Sequence, residues 1–272
     1  MNLEQKLYTD LLTKCITNSI YKDDRGLMTG ATTLSDADRA GGLDWPSKAH
    51  SMVGIARLTN VRDLAQRAID EGVPGDFIET GVWRGGCCIL MRGVLAINKA
   101  KDRKVFVADS FEGLPKPDVE AFPKDAGMEW SKIRELAVSL EEVKSNFAAY
   151  DLLDDQVEFI KGYFSDTLST VKADRFALLR LDGDLYESTI VALECLYPRL
   201  SPGGYVIIDD YGAVQACRDA VDDYRARNNI TSQIYQIDST GGWWQTDSTF
   251  DEQAYLERYP DVALAVAMTH FS

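Results

Sequence analysis

The sequence predicts an α/β fold built on a doubly wound, mostly parallel sheet behind a helical N-terminal extension. Three observations predict it. From Asp76 onward, short apolar, β-rich runs alternate with segments of helical spacing. Those runs are apolar on both faces, as in a parallel sheet covered by helices on both sides. Near the end, Ile234-Tyr235-Gln236-Ile237-Asp238 and Gly242-Trp243-Trp244-Gln245 straddle Ser239-Thr240-Gly241, the pattern of an edge hairpin.

The elements follow in chain order. Residues 2–21 carry Leu3, Leu7, Leu11, Leu12, Cys15 and Ile16 at helical spacing and predict an amphipathic helix. Residues 22–47 are rich in Gly, Asp, Ser and Thr and end near Trp45-Pro46, which predicts a long polar loop of the length used for lids. Helical spacing returns over 48–72 through Met52, Ile55, Leu58, Leu64 and Ala68, and Gly72-Val73-Pro74-Gly75 breaks it. Strands are expected at Phe77-Ile78, Val105–Ala108, Val157–Ile160, Phe176–Leu181 and Tyr205–Ile208, with helices near 85–99, 137–149, 186–199 and 213–228. Residues 115–136 interrupt the alternation with prolines and charges and read as an insertion. The expected division is 1–72, N-terminal helices and a lid loop, followed by a main domain over 73–272.

Composition narrows the function. A formal net charge of -14 over 272 residues excludes nucleic acid and anionic membranes as natural partners. No apolar run approaches the ~20 residues of a membrane span, and the N-terminus lacks the basic start and apolar stretch of a signal peptide. The 5 cysteines are odd in number and form no C-x-x-C, as expected of a reduced, cytoplasmic protein. With only 2 histidines, a metal would need carboxylate ligands, which favours magnesium, calcium or manganese over zinc.

Two motifs carry the chemistry. The first predicted strand runs through Glu79-Thr80-Gly81-Val82-Trp83-Arg84-Gly85-Gly86 into a helix. Glycines there let the backbone approach a ligand at the carboxyl end of a strand, where open α/β sheets bind ligands. The next strand ends in Asp109-Ser110, and an acid at that place accepts the ribose hydroxyls of a nucleoside. The spacing is not the dinucleotide G-x-G-x-x-G. Glu79 beside the turn would repel a pyrophosphate and attract the sulfonium and ammonium of S-adenosylmethionine, which favours that cofactor over NAD.

The second motif is a set of aspartates. The buried run Phe176–Leu181 ends in Asp182-Gly183-Asp184-Leu185-Tyr186, and Tyr205–Ile208 ends in Asp209-Asp210-Tyr211. If the two strands are neighbours, Asp182, Asp209 and Asp210 converge, and a hard cation is the usual compensation for such crowding. Asp184 is as well explained by a helix cap. A cation there would stabilise an ionised hydroxyl and aim its oxygen at a methyl donor.

With these residues in place, the chain resembles the macrocin O-methyltransferase family, the metal-dependent sugar O-methyltransferases of antibiotic biosynthesis. The landmarks are Asn18-Ser19-Ile20-Tyr21, Asp44-Trp45-Pro46, the Glu79–Gly86 turn, Asp109–Pro115, Leu181–Thr189 and Gly203–Tyr211. The resemblance implies a seven-stranded class I S-adenosylmethionine methyltransferase fold. It implies that Glu79 and Gly81 hold the methionine end of the cofactor and Asp109 and Ser110 its ribose and adenine. Met52 and Trp83 would pack near it, and Ser165, in Gly162-Tyr163-Phe164-Ser165-Asp166, would lie by the adenine. Asp182, Asp209 and Asp210 would bind magnesium, and the 22–47 loop would cover a small-molecule substrate, a glycosylated natural product. Trp243 and Trp244 would wall the pocket or sit in the core. Catechol-type relatives place a lysine base three residues after the first metal aspartate, where this chain has Leu185; Asp182, then Asp184, are therefore the candidate bases. A homo-oligomer is expected. The alternatives are the same chemistry on a phenol or catechol and, more distantly, an NAD-dependent oxidoreductase.

Overall fold

The computed structural model describes residues 1–23, 26 and 35–247. Helix α1 (Leu3–Ile16) opens in a capping box, Asn2 accepting from the Gln5 N–H and Gln5 reaching back. It is shorter than the predicted 2–21 because Asn18 takes a positive φ of 50° just past its end. Its buried face also differs from the leucine stripe. Leu12 and Ile16 are buried, together with Thr9 and Thr13, whose hydroxyls bond back to Gln5 and Thr9 carbonyls, whereas Leu3, Leu7 and Leu11 face solvent. Within the predicted loop lies a short helix, α2 (Asp36–Gly41), capped by Ser35 and closed by Gly42 in the left-handed region. Helix α3 (Ile55–Asp70) starts seven residues later than expected. Residues 48–54 are not its first turns, because their backbone is used elsewhere: the His50 N–H donates to Ile16 and its carbonyl accepts from Gly86.

Strands β1 (Asp76–Thr80), β2 (Val105–Asp109), β3 (Val157–Lys161), β4 (Phe176–Leu181), β5 (Leu200–Ile208), β6 (Tyr235–Gln236) and β7 (Gly242–Gln245) form one sheet in the order β3-β2-β1-β4-β5-β7-β6. The first five pair in parallel, and β7 and β6 close the edge antiparallel, as the hairpin pattern predicts. Helices α4 (Gly86–Ile97), α5 (Leu140–Ala149), α6 (Phe164–Thr167), α7 (Tyr186–Leu196) and α8 (Gln215–Arg227) cover its two faces in two separate apolar clusters. Helix α4 is buried over almost its whole length because α1 and α3 lie on its outer side. All six residues of β4 are buried, including Arg180. Residues 115–136 form three single 3₁₀ turns, 123–125, 130–132 and 134–136.

This order places the reversal of winding between β1 and β4. Ligands in open α/β sheets bind in the crevice at such a point, outside the carboxyl ends of the strands. Thr80, Asp109, Leu181 and Ile208 end the four strands around it. No helix among the described residues is long and apolar enough to cross a membrane.

Candidate active site

The crevice is a cavity of about 490 Å³. Its floor is the glycine turn. Gly81 has φ 83°, and a Cβ there would sit 1.8 Å from the Asp182 carbonyl oxygen, so only glycine lets β1 and β4 end side by side. The turn is tied to β2 by Asp109, whose carboxylate accepts from the N–H of Val82 (2.7 Å) and Phe111 (2.8 Å). Burial raises the Asp109 carboxyl and these backbone donors oppose the rise. Ser110 is buried and donates to the Gly113 carbonyl at 2.6 Å. Trp83, with φ 49°, donates its indole N–H to the Glu135 carbonyl at 2.9 Å and so joins the turn to the 115–136 insertion.

Met52, Gly81, Trp83, Asp109, Ser110, Asp182, Asp184, Asp209 and Asp210 all line this one cavity. Two residues proposed for the cofactor do not. Ser165 is exposed and lines an adjacent hollow of about 150 Å³, which shares Pro115, Tyr163, Phe164 and Ser188 with the main cavity. Glu79 is 2% exposed and lies behind the floor, its carboxylate taken by Arg180 and by the Cys88 thiol at 2.8 Å. Burial pushes the Glu79 carboxyl up to about 7 against the pull of Arg180. Trp244 is fully buried and stands in the core beside Tyr197, and Trp243 stacks on Tyr235; neither lines the cavity.

The aspartates divide into two kinds. Carboxylate oxygens of Asp182, Asp184 and Asp210 lie within 4.8 Å of one another. Asp184 takes a left-handed φ of 58° to bring its side chain there, a conformation that costs a non-glycine residue energy and clusters at functional sites. Asp209 is held apart, one oxygen contacting Arg57 and the other Arg180. Burial first, and then neighbouring carboxylates, raise all three clustered carboxyls: Asp182, repelled by Asp209, to about 6, Asp184, repelled by Asp182, to about 8, and Asp210, repelled by Asp184 and Asp182, well above the usual range. One Asp210 oxygen is buried with no hydrogen-bond partner among the described residues. Three crowded carboxylates, one with an orphaned oxygen, fit a hard divalent cation. Leu185, at the position of the catechol-type lysine, is 1% exposed and belongs to the core.

The residues that organise this set belong to none of the sequence motifs. Arg57 and Arg180 grip Asp209, Arg180 also reaches Asp182 and Glu79, and Arg57 reaches Asp238 in the β6–β7 turn. One signal was available, since Arg180 stands alone in an apolar strand and a buried charge needs partners. The roof was also missed in detail: Gly42 and Trp45 come from the 22–47 segment, and Trp130 and Ile133 from the insertion.

A seven-stranded sheet with its two-strand antiparallel edge, a glycine turn after β1 and acids after β2, β4 and β5 defines a class I S-adenosylmethionine methyltransferase. The model of the macrocin O-methyltransferase family matches residues 5–246, and the chain belongs to that family. It is 52% identical over 241 residues to the 8-demethyl-8-(2,3-dimethoxy-alpha-L-rhamnosyl)-tetracenomycin-C 4'-O-methyltransferase of Streptomyces olivaceus, covering 88% of this chain and 92% of that one. It is 47% identical over 248 residues to the demethyldecarbamoylnovobiocin O-methyltransferase of Streptomyces niveus, covering 90% and 95%. The solved structure of the O-methyltransferase NovP superimposes with a TM-score of 0.86 at 48% identity, covering 89% of this chain and 99% of that one. The protein is thus an O-methyltransferase.

Proposed function

We propose that this enzyme moves the methyl group of S-adenosylmethionine to a sugar hydroxyl of a glycosylated natural product, with a hard divalent cation, magnesium first, at the aspartate cluster. The observation that carries the reading is the convergence of Asp182, Asp184 and Asp210 on the wall of the cavity floored by the glycine turn and Asp109. The sugar is supported by the relatives, two of which are named for methylation of a rhamnosyl-tetracenomycin and of mycinamicin III. Production of an antibiotic-type metabolite is the context those names suggest.

The cofactor's sulfonium is an activated methyl donor, so the protein must mainly position and deprotonate. The Gly81–Gly86 turn and Asp109 would hold it, with Met52, Trp83 and Ser110 against it, and Glu79 would act on its cationic end from behind the floor. Asp182, Asp184 and Asp210 would hold the cation, which lowers the pKa of the acceptor hydroxyl and fixes its oxygen. Asp209 would join them only by exchanging an arginine for the ion. The hydroxyl proton passes to a carboxylate of the cluster, Asp182 or Asp184. Trp45, Trp130 and Ile133 present apolar surface to the rest of the acceptor and keep water from the reacting atoms.

A panel of deoxysugar glycosides and catechols, assayed with S-adenosylmethionine before and after exhaustive chelation, tests this. Methylation of glycosides that stops on chelation and returns with magnesium is the expected result. Turnover of catechols alone would remove the sugar, activity untouched by chelation would remove the metal, and tight binding of NAD without S-adenosylmethionine would remove the reading altogether.

A further inference from the structure

Arg180 is fully buried as the penultimate residue of β4, and its guanidinium touches three carboxylates. One of its terminal nitrogens, Nη1, is shared between Glu79 behind the floor and Oδ2 of Asp182 at 2.8 Å; the other, Nη2, holds Asp209. Asp182 is therefore claimed from two sides. On one side is a fixed guanidinium; on the other are Asp184 and Asp210, the latter with an oxygen that nothing among the described residues satisfies. Asp209 is already secured by Arg57, which also holds Asp238 at 3.1 Å, so the Asp209 contacts do not need to change when the cluster does.

We propose that Arg180 is a positioning residue that holds Asp182 as a resident counter-charge, and that a divalent cation binds the cluster in competition with this guanidinium. The inference rests on the reading of a cation at Asp182, Asp184 and Asp210. A guanidinium suits the part. It is permanently charged, rigid and forked, so it can keep Glu79 and Asp209 in place through separate N–H groups while yielding its contact with Asp182. Entry of the cation then frees Nη1 for Glu79 alone. Arg180 thus sets how tightly the cluster binds its ion and keeps Glu79 and Asp209 from drifting into it.

The competition has an unusual signature: removing the arginine should tighten cation binding, whereas a residue that merely supports the fold would weaken it. Arg180→Gln alone leaves Glu79 in the interior with no counter-charge, only the Cys88 thiol, which can prevent folding. The informative variant is therefore Glu79→Gln with Arg180→Gln, which removes one negative and one positive charge together and leaves Asp209 on Arg57. Manganese binding to the purified full-length protein is followed by electron paramagnetic resonance, with thermal melts to confirm folding and S-adenosylmethionine titrated by calorimetry. The expected result is manganese affinity about tenfold tighter in the double variant, the order of one charge-assisted hydrogen bond to Asp182. A folded double variant with unchanged or weaker manganese affinity overturns the inference and leaves the proposed function standing. Wild-type protein that binds S-adenosylmethionine but no manganese overturns the inference together with the metal reading. If the double variant fails to fold, Arg180→Lys carries the test. A single ammonium cannot span all three carboxylates, so tighter manganese binding supports the proposal and equal or weaker binding overturns it.

Discussion

The carboxylate of Asp125 accepts from the backbone N–H of Tyr186 at 2.6 Å and of Glu187 at 3.0 Å, across sequence separations of 61 and 62 residues. Asp125 is fully buried and belongs to the 115–136 insertion, whereas Tyr186 and Glu187 are the first residues of α7. The insertion thus caps the helix that begins just after Asp182-Gly183-Asp184. Neighbouring contacts reinforce the joint: Phe122 packs on Tyr186, and Lys124 reaches Asp223 of α8 at 2.7 Å. The segment that supplies Trp130 and Ile133 to the cavity is therefore fastened to the element that positions the aspartates.

Asp125→Ala removes both the cap and the fastening. It should cost about 1–2 kcal/mol of stability in urea unfolding, the range for losing a helix N-cap acceptor. It should also raise KM for the acceptor more than KM for S-adenosylmethionine, because the roof loosens while the glycine turn stays. Asp125→Asn keeps an acceptor oxygen and should lie between the two. Equal changes in both KM values would argue against an insertion that serves the acceptor.

Gly81 and Gly127 share nearly the same φ, 83° and 84°, but differ in surroundings. A Cβ at Gly81 would meet the Asp182 carbonyl at 1.8 Å, while nothing lies within 4 Å of one at Gly127. Gly127→Ala should cost only the left-handed strain, about 1–2 kcal/mol. Gly81→Ala adds a clash between β1 and β4 and should exceed about 3 kcal/mol while abolishing S-adenosylmethionine binding. Denaturation of both variants beside calorimetry checks this, and similar costs for the two would contradict it.

The contrast shows what the sequence carried and what it did not. Strand ends were legible because an apolar run followed by Gly or Asp marks the place where a buried strand meets a ligand crevice; Gly81, Asp109, Asp182 and Asp209 all stand at such ends. The partition of the aspartates was not legible. It is decided by Arg57, 152 residues from Asp209, and local spacing says nothing about contacts at that range. Helix α1 departs from its leucine spacing for a related reason. Spacing located the helix, but Leu3, Leu7 and Leu11 face water while Thr9 and Thr13 go inside, since their hydroxyls bond to the preceding turn. Residues 48–54 have helical spacing yet are drawn into bonds with Ile16 and Gly86, a tertiary demand that overrides the local pattern.

His50 links the end of α1 to the glycine turn through its backbone, and its Nδ1 lies 2.8 Å from the Tyr150 hydroxyl. Burial, and then the positive charge of Arg84, lower its pKa from the usual 6.5. The unfolded chain therefore takes up a proton near pH 6.5 that the native state refuses. Stability from this residue is full above that pH and is lost as the pH falls below about 6.5. His50→Gln cannot take up the proton. The stability advantage of the wild type over this variant should shrink between pH 7.5 and pH 5. Urea denaturation of both proteins at the two pH values measures it, and a constant difference would show that His50 does not titrate differently on unfolding.

On the proposed function, Asp210 sets stability against activity. In the absence of a cation it is a half-buried acid beside Asp184 and Asp182, with one buried oxygen that has no hydrogen-bond partner among the described residues. Burial and those neighbours oppose its charge, so the cluster costs folding energy that the proposed ion would recover. Asp210→Asn relieves the repulsion and keeps the shape. Chelated Asp210→Asn protein should therefore be more stable than chelated wild type by about 1 kcal/mol, a rise in Tm of roughly 2–4 °C for a chain of this size. Methyl transfer should fall by about a hundredfold or more, since replacing a ligand costs at least what disturbing its supporting residues does. Affinity for S-adenosylmethionine should stay within a few-fold, because the glycine turn and Asp109 are untouched. Magnesium should raise the Tm of the wild type and leave the variant nearly unmoved. A variant that melts lower than the wild type under chelation would mean that Asp210 supports the fold and is not held there for the ion.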